Sequence, residues 1–194
     1  MKSFVISILV ILFAVVVNTS VASAQRRDYM TDEEIELVRD NQDIDKRVDV
    51  LTKMVDRRFA ALGINVGGWN PSEKEQKLWG QLQTGTRSQM LSDIRQILQK
   101  AIDDIDDVSE HNANTQTQNK TEGLLFPKAV RGLAAAANRY LPALKSTLDK
   151  TTDTREKGSI LNSIESCEAI MESVANLPPE VTPEKKSDKK KGKT

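Results

Sequence analysis

The chain contains 194 residues, and its 28 basic and 28 acidic side chains give a formal net charge of zero. A single cysteine excludes an intramolecular disulfide, and an aromatic content of 4% without alternating runs of β-branched residues disfavours a sheet protein. Residues of high helix propensity dominate the composition, so we expect a helical protein.

The amino terminus is typical of a secretory signal peptide. An apolar run over residues 4–17 follows Lys2, and a stretch of small and polar residues ends at Ala24. The run is shorter than the roughly 20 residues of a membrane-spanning helix, which favours a cleaved signal over an uncleaved anchor. We therefore predict that cleavage between Ala24 and Gln25 removes residues 1–24. The mature chain would have no membrane span and would be periplasmic or extracellular.

The first predicted helix begins at a capping box, with Thr31 as the N-cap and Glu34 three residues further on. The polar residues 40–43 should end it. A longer helix is predicted over residues 43–62, because apolar residues recur there at steps of three and four. This stripe comprises Ile44, Val48, Leu51, Val55 and Leu62, widened by Met54 and Phe59.

A second start signal lies at residues 70–73, where Asn70 suits the N-cap and Pro71 suits the first helical position. The helix that follows should break near residues 84–86. One side of it is predicted to carry Leu78, Trp79 and Leu82. The next helix is predicted over residues 87–108, with the apolar stripe Leu91, Ile94, Leu98, Ala101, Ile105 and Val108.

Residues 109–123 have almost no apolar side chains and are predicted to form a long mobile connection. A helix over residues 124–148 should follow, with a kink or a restart at Pro142. The last helix is predicted from Asp153 or Thr154 to residue 175. The two stripes are Phe126, Val130, Leu133, Ala137, Leu141, Leu144 and Leu148, and then Ile160, Ile164, Cys167, Met171 and Val174.

These patterns predict an all-α fold, an antiparallel bundle of four main helices with extra short helices. Each long helix has an apolar stripe that it cannot bury alone, whereas four helices packed together bury all of them. The bundle should be one domain over residues 25–176, since the mature chain is long enough for one core and short for two.

The carboxyl-terminal segment, residues 177–194, is rich in proline, lysine and polar residues and is predicted to be disordered. From Glu184 to Thr194 the net charge is +4, whereas residues 25–183 carry a net charge of −5. The segment is either a solubilising tail or a contact for polyanions such as an anionic envelope component. The candidate contact residues are Lys185, Lys186, Lys189, Lys190, Lys191 and Lys193. No aromatic residues alternate with these lysines, which disfavours base stacking and sequence-specific binding of nucleic acid.

Few residues indicate catalysis. The single histidine, His111, lies in the predicted connection and in no pattern with Cys167, so the sequence does not favour a Cys–His pair. Cys167 lies on an apolar stripe and is expected to be a buried thiol, with an intermolecular disulfide as the alternative. Asp103 and Asp107 lie one helical turn apart and could touch a divalent cation. We favour a solvated acidic face, because the glycine turn and the oxygen ligands of a calcium loop are missing. We therefore predict no catalytic, cofactor-binding or metal-binding residue.

Several positions near the start of the mature chain carry a resemblance. They are Glu34-Ile35, Arg39-Asp40, Gln42 and Arg57-Arg58. Through them, residues 31–62 resemble the opening of small exported helical proteins from environmental bacteria. The resemblance implies a periplasmic or secreted helical protein, and it implies no particular activity or site.

The sequence therefore favours an exported helical protein that acts by binding a protein partner, as an envelope-associated protein would, and that is not an enzyme. One alternative is a polyanion-binding module that acts through the lysine-rich tail. Another is a carboxylate-based hydrolase or a metal-dependent enzyme. Charged residues buried in the helical domain would favour the enzyme, and a purely apolar interior would contradict it.

Overall fold

The computed structural model describes residues 27–114 and 122–177. These residues form six α-helices and a closing 3-10 turn, and they contain no β-strand. The helices are α1 (Asp32–Asp40), α2 (Ile44–Ala61), α3 (Glu73–Trp79), α4 (Arg87–Asn114), α5 (Glu122–Lys150) and α6 (Thr154–Ser173), and the 3-10 turn is Val174–Asn176. The predicted all-helical class is confirmed. The predicted signal peptide, its Ala24–Gln25 junction and the lysines of the tail lie outside the described residues.

The long helices of this part of the chain are amphipathic rather than uniformly apolar. None of the helices within residues 27–114 and 122–177 combines the length and the hydropathy that crossing a bilayer requires.

Helix α1 begins with the predicted capping box. The backbone N–H of Glu34 donates to Thr31 Oγ1 at 3.2 Å, and the backbone N–H of Thr31 donates to Glu34 Oε2 at 3.0 Å. The predicted interruption is also confirmed, because α1 ends at Asp40 and α2 begins at Ile44. The predicted stripe of α2 is buried except at Leu62, which is half-buried.

Helix α3 begins later than predicted. Its N-cap is Ser72, whose Oγ accepts from the backbone N–H of Glu75 at 3.3 Å, while the Glu75 carboxylate accepts from the backbone N–H of Ser72 at 2.9 Å. The residue types at Asn70 and Glu73 fit a capping box equally well. The structure uses the later box, and Trp69 lies before the helix, where its ring packs edge-on against Trp79 with the centroids 5.7 Å apart.

Helix α3 also ends earlier than predicted. It stops at Trp79, before residues 84–86, because Gly80 follows with a φ of 64°, a left-handed conformation that favours glycine. The three apolar residues predicted on one side of this helix differ in exposure, and Leu82 lies beyond its end. Trp79 is buried, whereas Leu78 is 57% exposed and Leu82 is 39% exposed.

Helix α4 continues to Asn114, and α5 begins at Glu122. The predicted connection over residues 109–123 is therefore helical at both ends, and His111 lies on α4. A helix that is already formed gains one hydrogen bond for each residue it adds, so it can extend into polar sequence without an apolar stripe. Residues 115–121 lie outside the described residues.

Helices α5 and α6 follow the predicted boundaries closely. Helix α5 continues through Pro142 without a restart. Asp153 caps α6, since its carboxylate accepts from the backbone N–H groups of Arg155 and Glu156 at 2.7 and 3.1 Å.

One residue of the predicted α6 stripe, Met171, is not buried. Met171 is 39% exposed, and the neighbouring Ile170 is buried instead. The buried face of α6 advances by three, four and three residues through Ile160, Ser163, Cys167 and Ile170, which turns Met171 towards solvent.

The core lies between the four long helices. Helix α2 packs against α4 and α5, and α6 packs against the same two helices. Short α1 and α3 attach to one another, and α1 also contacts α2. The fully buried side chains at the centre include Leu51, Phe59, Ile94, Leu98, Leu133, Tyr140, Leu144, Ile160 and Cys167.

Replacing Leu98 by alanine is expected to lower the free energy of unfolding by about 2–5 kcal/mol, because truncating a fully buried leucine leaves a cavity. Leu161→Ala is the matched control. Leu161 is 51% exposed on α6, so its truncation should change the same free energy by no more than about 0.5 kcal/mol. Urea unfolding followed by circular dichroism measures both values. Equal losses in the two variants would contradict this assignment of buried and exposed faces.

Candidate functional site

Two neighbouring arginines, Arg57 and Arg58, are buried near the end of α2, with side chains only 1% and 0% exposed. A guanidinium group keeps its proton at all accessible pH values, so a buried one needs hydrogen-bond acceptors and negative charge around it. Burial lowers the pKa of Arg57, and the nearby carboxylate of Glu34 opposes this effect.

Glu34 on α1 supplies the carboxylate that both arginines share. Its Oε1 accepts from Arg57 Nε at 3.1 Å and from Arg58 Nη1 at 2.8 Å, and its Oε2 accepts from Arg58 Nη2 at 2.6 Å. The same Oε2 also accepts from the N-cap backbone N–H of α1. One fully buried carboxylate therefore both starts α1 and ties it to the end of α2.

Asp93 on α4 supplies the second carboxylate. It accepts from Arg58 Nε at 3.2 Å and from the two terminal nitrogens of Arg27 at 2.7 and 3.1 Å. Burial raises the pKa of Asp93, against the opposing effect of both arginines. We refer to Arg27, Glu34, Arg57, Arg58 and Asp93 as the arginine cluster.

Backbone carbonyl groups accept the remaining hydrogen bonds of the cluster. Arg57 Nη2 donates to the carbonyls of Trp79 and Gln81 at 3.0 and 2.6 Å, and Arg58 Nη2 donates to the carbonyl of Tyr29 at 2.7 Å. The guanidinium carbon of Arg57 also lies 4.9 Å from the ring centroid of Trp69 and 5.4 Å from that of Trp79. These contacts fix the segments on both sides of α3.

The geometry of the arginine cluster favours a structural role. Guanidinium groups occupy both oxygens of Glu34 and of Asp93, so neither carboxylate has a free oxygen facing a cleft. A general acid or base needs hydrogen-bond reach to a substrate atom. The cluster instead joins α1, α2, α4 and the amino-terminal segment.

A second ion pair connects α2 to α5. Asp56 accepts from the two terminal nitrogens of Arg139 at 3.0 and 3.3 Å, and Arg139 also donates to the carbonyl of Val66 at 2.9 Å. Burial raises the pKa of Asp56. The neighbouring Tyr140 hydroxyl donates to the carbonyl of Thr52 at 2.9 Å, and burial raises the pKa of Tyr140 well above its ordinary value.

A groove of about 510 Å³ lies beside the arginine cluster, between α1, α2, α3 and α5. We call it the Asp45 groove. Its lining mixes apolar side chains with lysines and carboxylates, and includes Leu37, Asp45, Lys53, Leu78, Lys128 and Gly132. Pockets of roughly 300–1,000 Å³ are typical of sites that bind small molecules or the anchor side chains of partners.

Two residues of the lining, Leu78 and Gly132, leave surface and space accessible to a ligand in the Asp45 groove. Leu78 lines it although more than half of its surface is exposed, so an apolar side chain is available to a ligand. Gly132 lies in the interior of α5, where glycine destabilises a helix by about 1 kcal/mol relative to alanine. A Cβ atom added at Gly132 would meet nothing within 4 Å, so no close packing demands glycine there.

Asp45, in the first turn of α2, is a charged residue in the lining of the groove. Its side chain is 6% exposed, and its Oδ2 accepts from Lys128 Nζ at 2.6 Å, whereas the Lys128 side chain is 72% exposed. Asp45 Oδ1 is buried and has no hydrogen-bond partner among the described residues. The hydrogen bond from Lys128 lowers the pKa of Asp45 below its ordinary value of 3.8.

A second cavity, of about 480 Å³, lies between α4, α5, α6 and the 3-10 turn. Its lining is largely apolar and includes Ile105, Phe126, Leu133 and Ile170. A further buried oxygen without a partner in the described residues, Asp104 Oδ2, does not line this cavity or the Asp45 groove.

The structure shows the environment of three residues that the sequence marked as possible nucleophiles or metal ligands: Cys167, Asp103 and Asp107. Cys167 is fully buried, as predicted, and burial raises its pKa to about 12. Asp103 and Asp107 are exposed on α4. Within residues 27–114 and 122–177, no group of three or more metal-ligating side chains is close enough to hold a metal ion.

Most of the residues described above carry no distinctive signal in the sequence. Glu34 is recognisable there only as a capping residue, and nothing in the local pattern marks Asp45 or Gly132. One signal was readable, because Arg58 follows Val55 by three residues and precedes Leu62 by four, which places it on the apolar stripe of α2. A charged residue on such a stripe predicts a buried partner, but its spacing does not identify that partner.

Comparisons with protein-family models, with curated proteins and with solved structures find no match for this chain.

Glu34→Gln is expected to destabilise the protein by about 3–5 kcal/mol, because it leaves two buried guanidinium groups without their shared negative charge. Glu165→Gln is the matched control, since Glu165 is an exposed glutamate on α6 that is not part of the arginine cluster. Its midpoint of unfolding should stay close to that of the wild type. Chemical denaturation measures both, and a Glu34→Gln variant as stable as the control would contradict the role given to this carboxylate.

The pair formed by Asp45 and Lys128 predicts a pH dependence. Because the pKa of Asp45 is lower in the folded state than in the unfolded chain, its stabilising effect is present above pH 3.8 and is lost as the pH falls through the folded-state value. The stability difference between wild type and Asp45→Asn should therefore shrink as the pH falls from about 5 to about 2. In a Lys128→Met background this dependence should largely disappear. A difference that is constant with pH in the wild-type background would contradict the pairing.

Proposed function

We propose that this protein is an exported, non-catalytic binding protein, which uses the Asp45 groove to hold a protein partner in the cell envelope or outside the cell. The signal-peptide pattern of residues 1–24 supports export. We also propose that α2, α4, α5 and α6 form the antiparallel four-helix bundle. The contacts support this arrangement, since each of the four long helices packs against at least two others around one core.

The open groove is the observation that carries the proposal. It combines an exposed apolar side chain at Leu78, an unfilled space over Gly132 and a buried carboxylate oxygen without a partner at Asp45. A concave site of about 510 Å³ that mixes apolar surface with a few polar groups is typical of places at which another molecule binds.

The buried carboxylates of the arginine cluster are not placed as a hydrolase would need them. Buried carboxylates are present, as that alternative would require, but guanidinium groups hold both oxygens of Glu34 and of Asp93. Neither residue is part of the lining of the Asp45 groove. The thiol of Cys167 is buried with a pKa of about 12, which makes it a weak nucleophile at neutral pH. These observations favour binding over catalysis.

The lysine-rich tail supports a second candidate function. Six lysines give residues 184–194 a net charge of +4, which suits contact with an anionic envelope component. Such contact would be electrostatic and would weaken as salt rises, whereas partner binding in a groove with an apolar surface would persist.

Affinity capture from a native envelope extract tests the groove. Gly132→Leu should fill the open space without harming the helix, because leucine has the higher helix propensity, and it should abolish capture of a stoichiometric partner. Gly158→Leu is the matched control. Gly158 is also a glycine inside a helix, has no atom within 4 Å of an added Cβ, and does not line the groove. This control should retain the partner.

Deleting residues 184–194 separates the two functions in the same experiment. Protein purified after expression of the full-length chain serves as bait, and its intact mass shows whether it begins at Gln25. A partner that is retained without the tail and lost in Gly132→Leu would support the groove. Anionic material that is captured only with the tail and released by salt would support the polyanion-binding module and contradict the groove proposal.

A further inference from the structure

We propose that the Asp45 groove recognises a primary alkylammonium group, supplied by a lysine side chain of the partner, which donates to the free carboxylate oxygen of Asp45. This inference rests on the proposed binding function and names the chemistry of the anchor in the same groove. Two observations carry it: the unsatisfied, buried carboxylate oxygen, and the apolar space that lies beside it.

The first observation concerns hydrogen bonding. Asp45 has two carboxylate oxygens in a side chain that is 6% exposed, and Lys128 satisfies only Oδ2. An unsatisfied buried acceptor is costly, and a charge-assisted hydrogen bond from a cation is roughly twice as strong as a neutral one. A donor that enters the groove with a positive charge is therefore favoured over a neutral donor.

The other charges of the lining already have partners. Lys53 Nζ lies 3.0 Å from Asp49 Oδ2, Lys46 Nζ lies 2.6 Å from Asp43 Oδ2, and Glu75 caps α3. Among the charged groups of the lining, Asp45 thus keeps a buried oxygen, Oδ1, that has no hydrogen-bond partner in the described residues. Since the described residues contain no cluster of three metal-ligating side chains, an organic cation fits this site better than a metal ion.

The second observation concerns the shape and the apolar surface of the groove. Leu37, Val48, Leu78 and Ala129 provide apolar contacts in the lining, and the surface above Gly132 is open. A lysine side chain carries its ammonium group on a stem of four methylene groups, which packs well on apolar surface. The 72% exposed side chain of Lys128 can move aside as the incoming ammonium group approaches Asp45.

Isothermal titration with n-hexylammonium, which carries the same primary ammonium group as lysine on a longer alkyl stem, tests the chemistry directly. Hexylammonium should bind saturably, and 1-hexanol of the same length should bind at least about tenfold more weakly because it lacks the charge. Asp45→Asn should weaken hexylammonium binding by about tenfold or more. Asp40→Asn is the matched control, since Asp40 is an exposed aspartate at the end of α1 that is not part of the groove lining, and it should bind as the wild type does.

Lys128→Met provides a test that does not depend on the folding of Asp45→Asn. It removes the competing ammonium group, so it should tighten hexylammonium binding. The proposal is overturned if wild type shows no saturable binding, if 1-hexanol binds as tightly as hexylammonium, or if Lys128→Met weakens binding.

Combining hexylammonium binding with the capture experiment distinguishes the lysine anchor from the proposed protein-binding function. If hexylammonium binds through Asp45 and elutes the captured partner, the lysine anchor is supported. If a partner is captured through the groove but neither hexylammonium nor Asp45→Asn affects it, the lysine anchor is wrong and the binding function stands. If hexylammonium binds through Asp45 but no partner depends on the groove, the protein-partner function is wrong and a small organic ammonium is the ligand.

Discussion

Two buried guanidinium groups, on side chains near the end of α2, constrain the rest of the described structure. Arg57 and Arg58 can be buried only if carboxylates and backbone carbonyls surround them, and those acceptors come from four separate parts of the chain. The hydrophobic stripes drive the four long helices together, but they do not specify where the short segments attach. The arginine cluster supplies that specification through directional hydrogen bonds.

The same cluster determines the shape of the candidate site. Glu34 holds α1 against the end of α2, and Arg57 holds the carbonyl of Trp79 at the end of α3. Residues of α1 and α3, including Leu37 and Leu78, line the Asp45 groove. The buried charges therefore do not form the binding surface, but they position two of the helices that do. The groove keeps one unsatisfied carboxylate oxygen next to apolar surface, and that combination points to a charged anchor with an apolar stem.

The helices could be predicted from the sequence because their signals are local. The capping box at Thr31, the end of α1 at Asp40 and the stripe of α4 depend on residues a few positions apart, and the structure agrees with them. The sequence-based predictions are wrong where two local signals compete, or where the packing of the helices determines which side chain is buried. Two possible capping boxes overlap before α3, and the residue types alone do not determine which of them is used. Met171 and Ile170 are neighbours with similar hydropathy, and only the rotation of α6 against its neighbours determines which of them is buried.

The sequence by itself determined the helical class, the main apolar stripes and the burial of Cys167, because helix propensity and periodicity act over short distances along the chain. It also placed Arg58 on an apolar stripe, which indicated a buried charge without naming its partner. Only the tertiary structure decided that Glu34 and Asp93 meet these arginines, and that Asp45 and Gly132 lie in one groove. Residues 34 and 93 belong to different helices, and no spacing rule relates them. Contacts of this kind are decided when the helices pack, by the need to pair each buried charge.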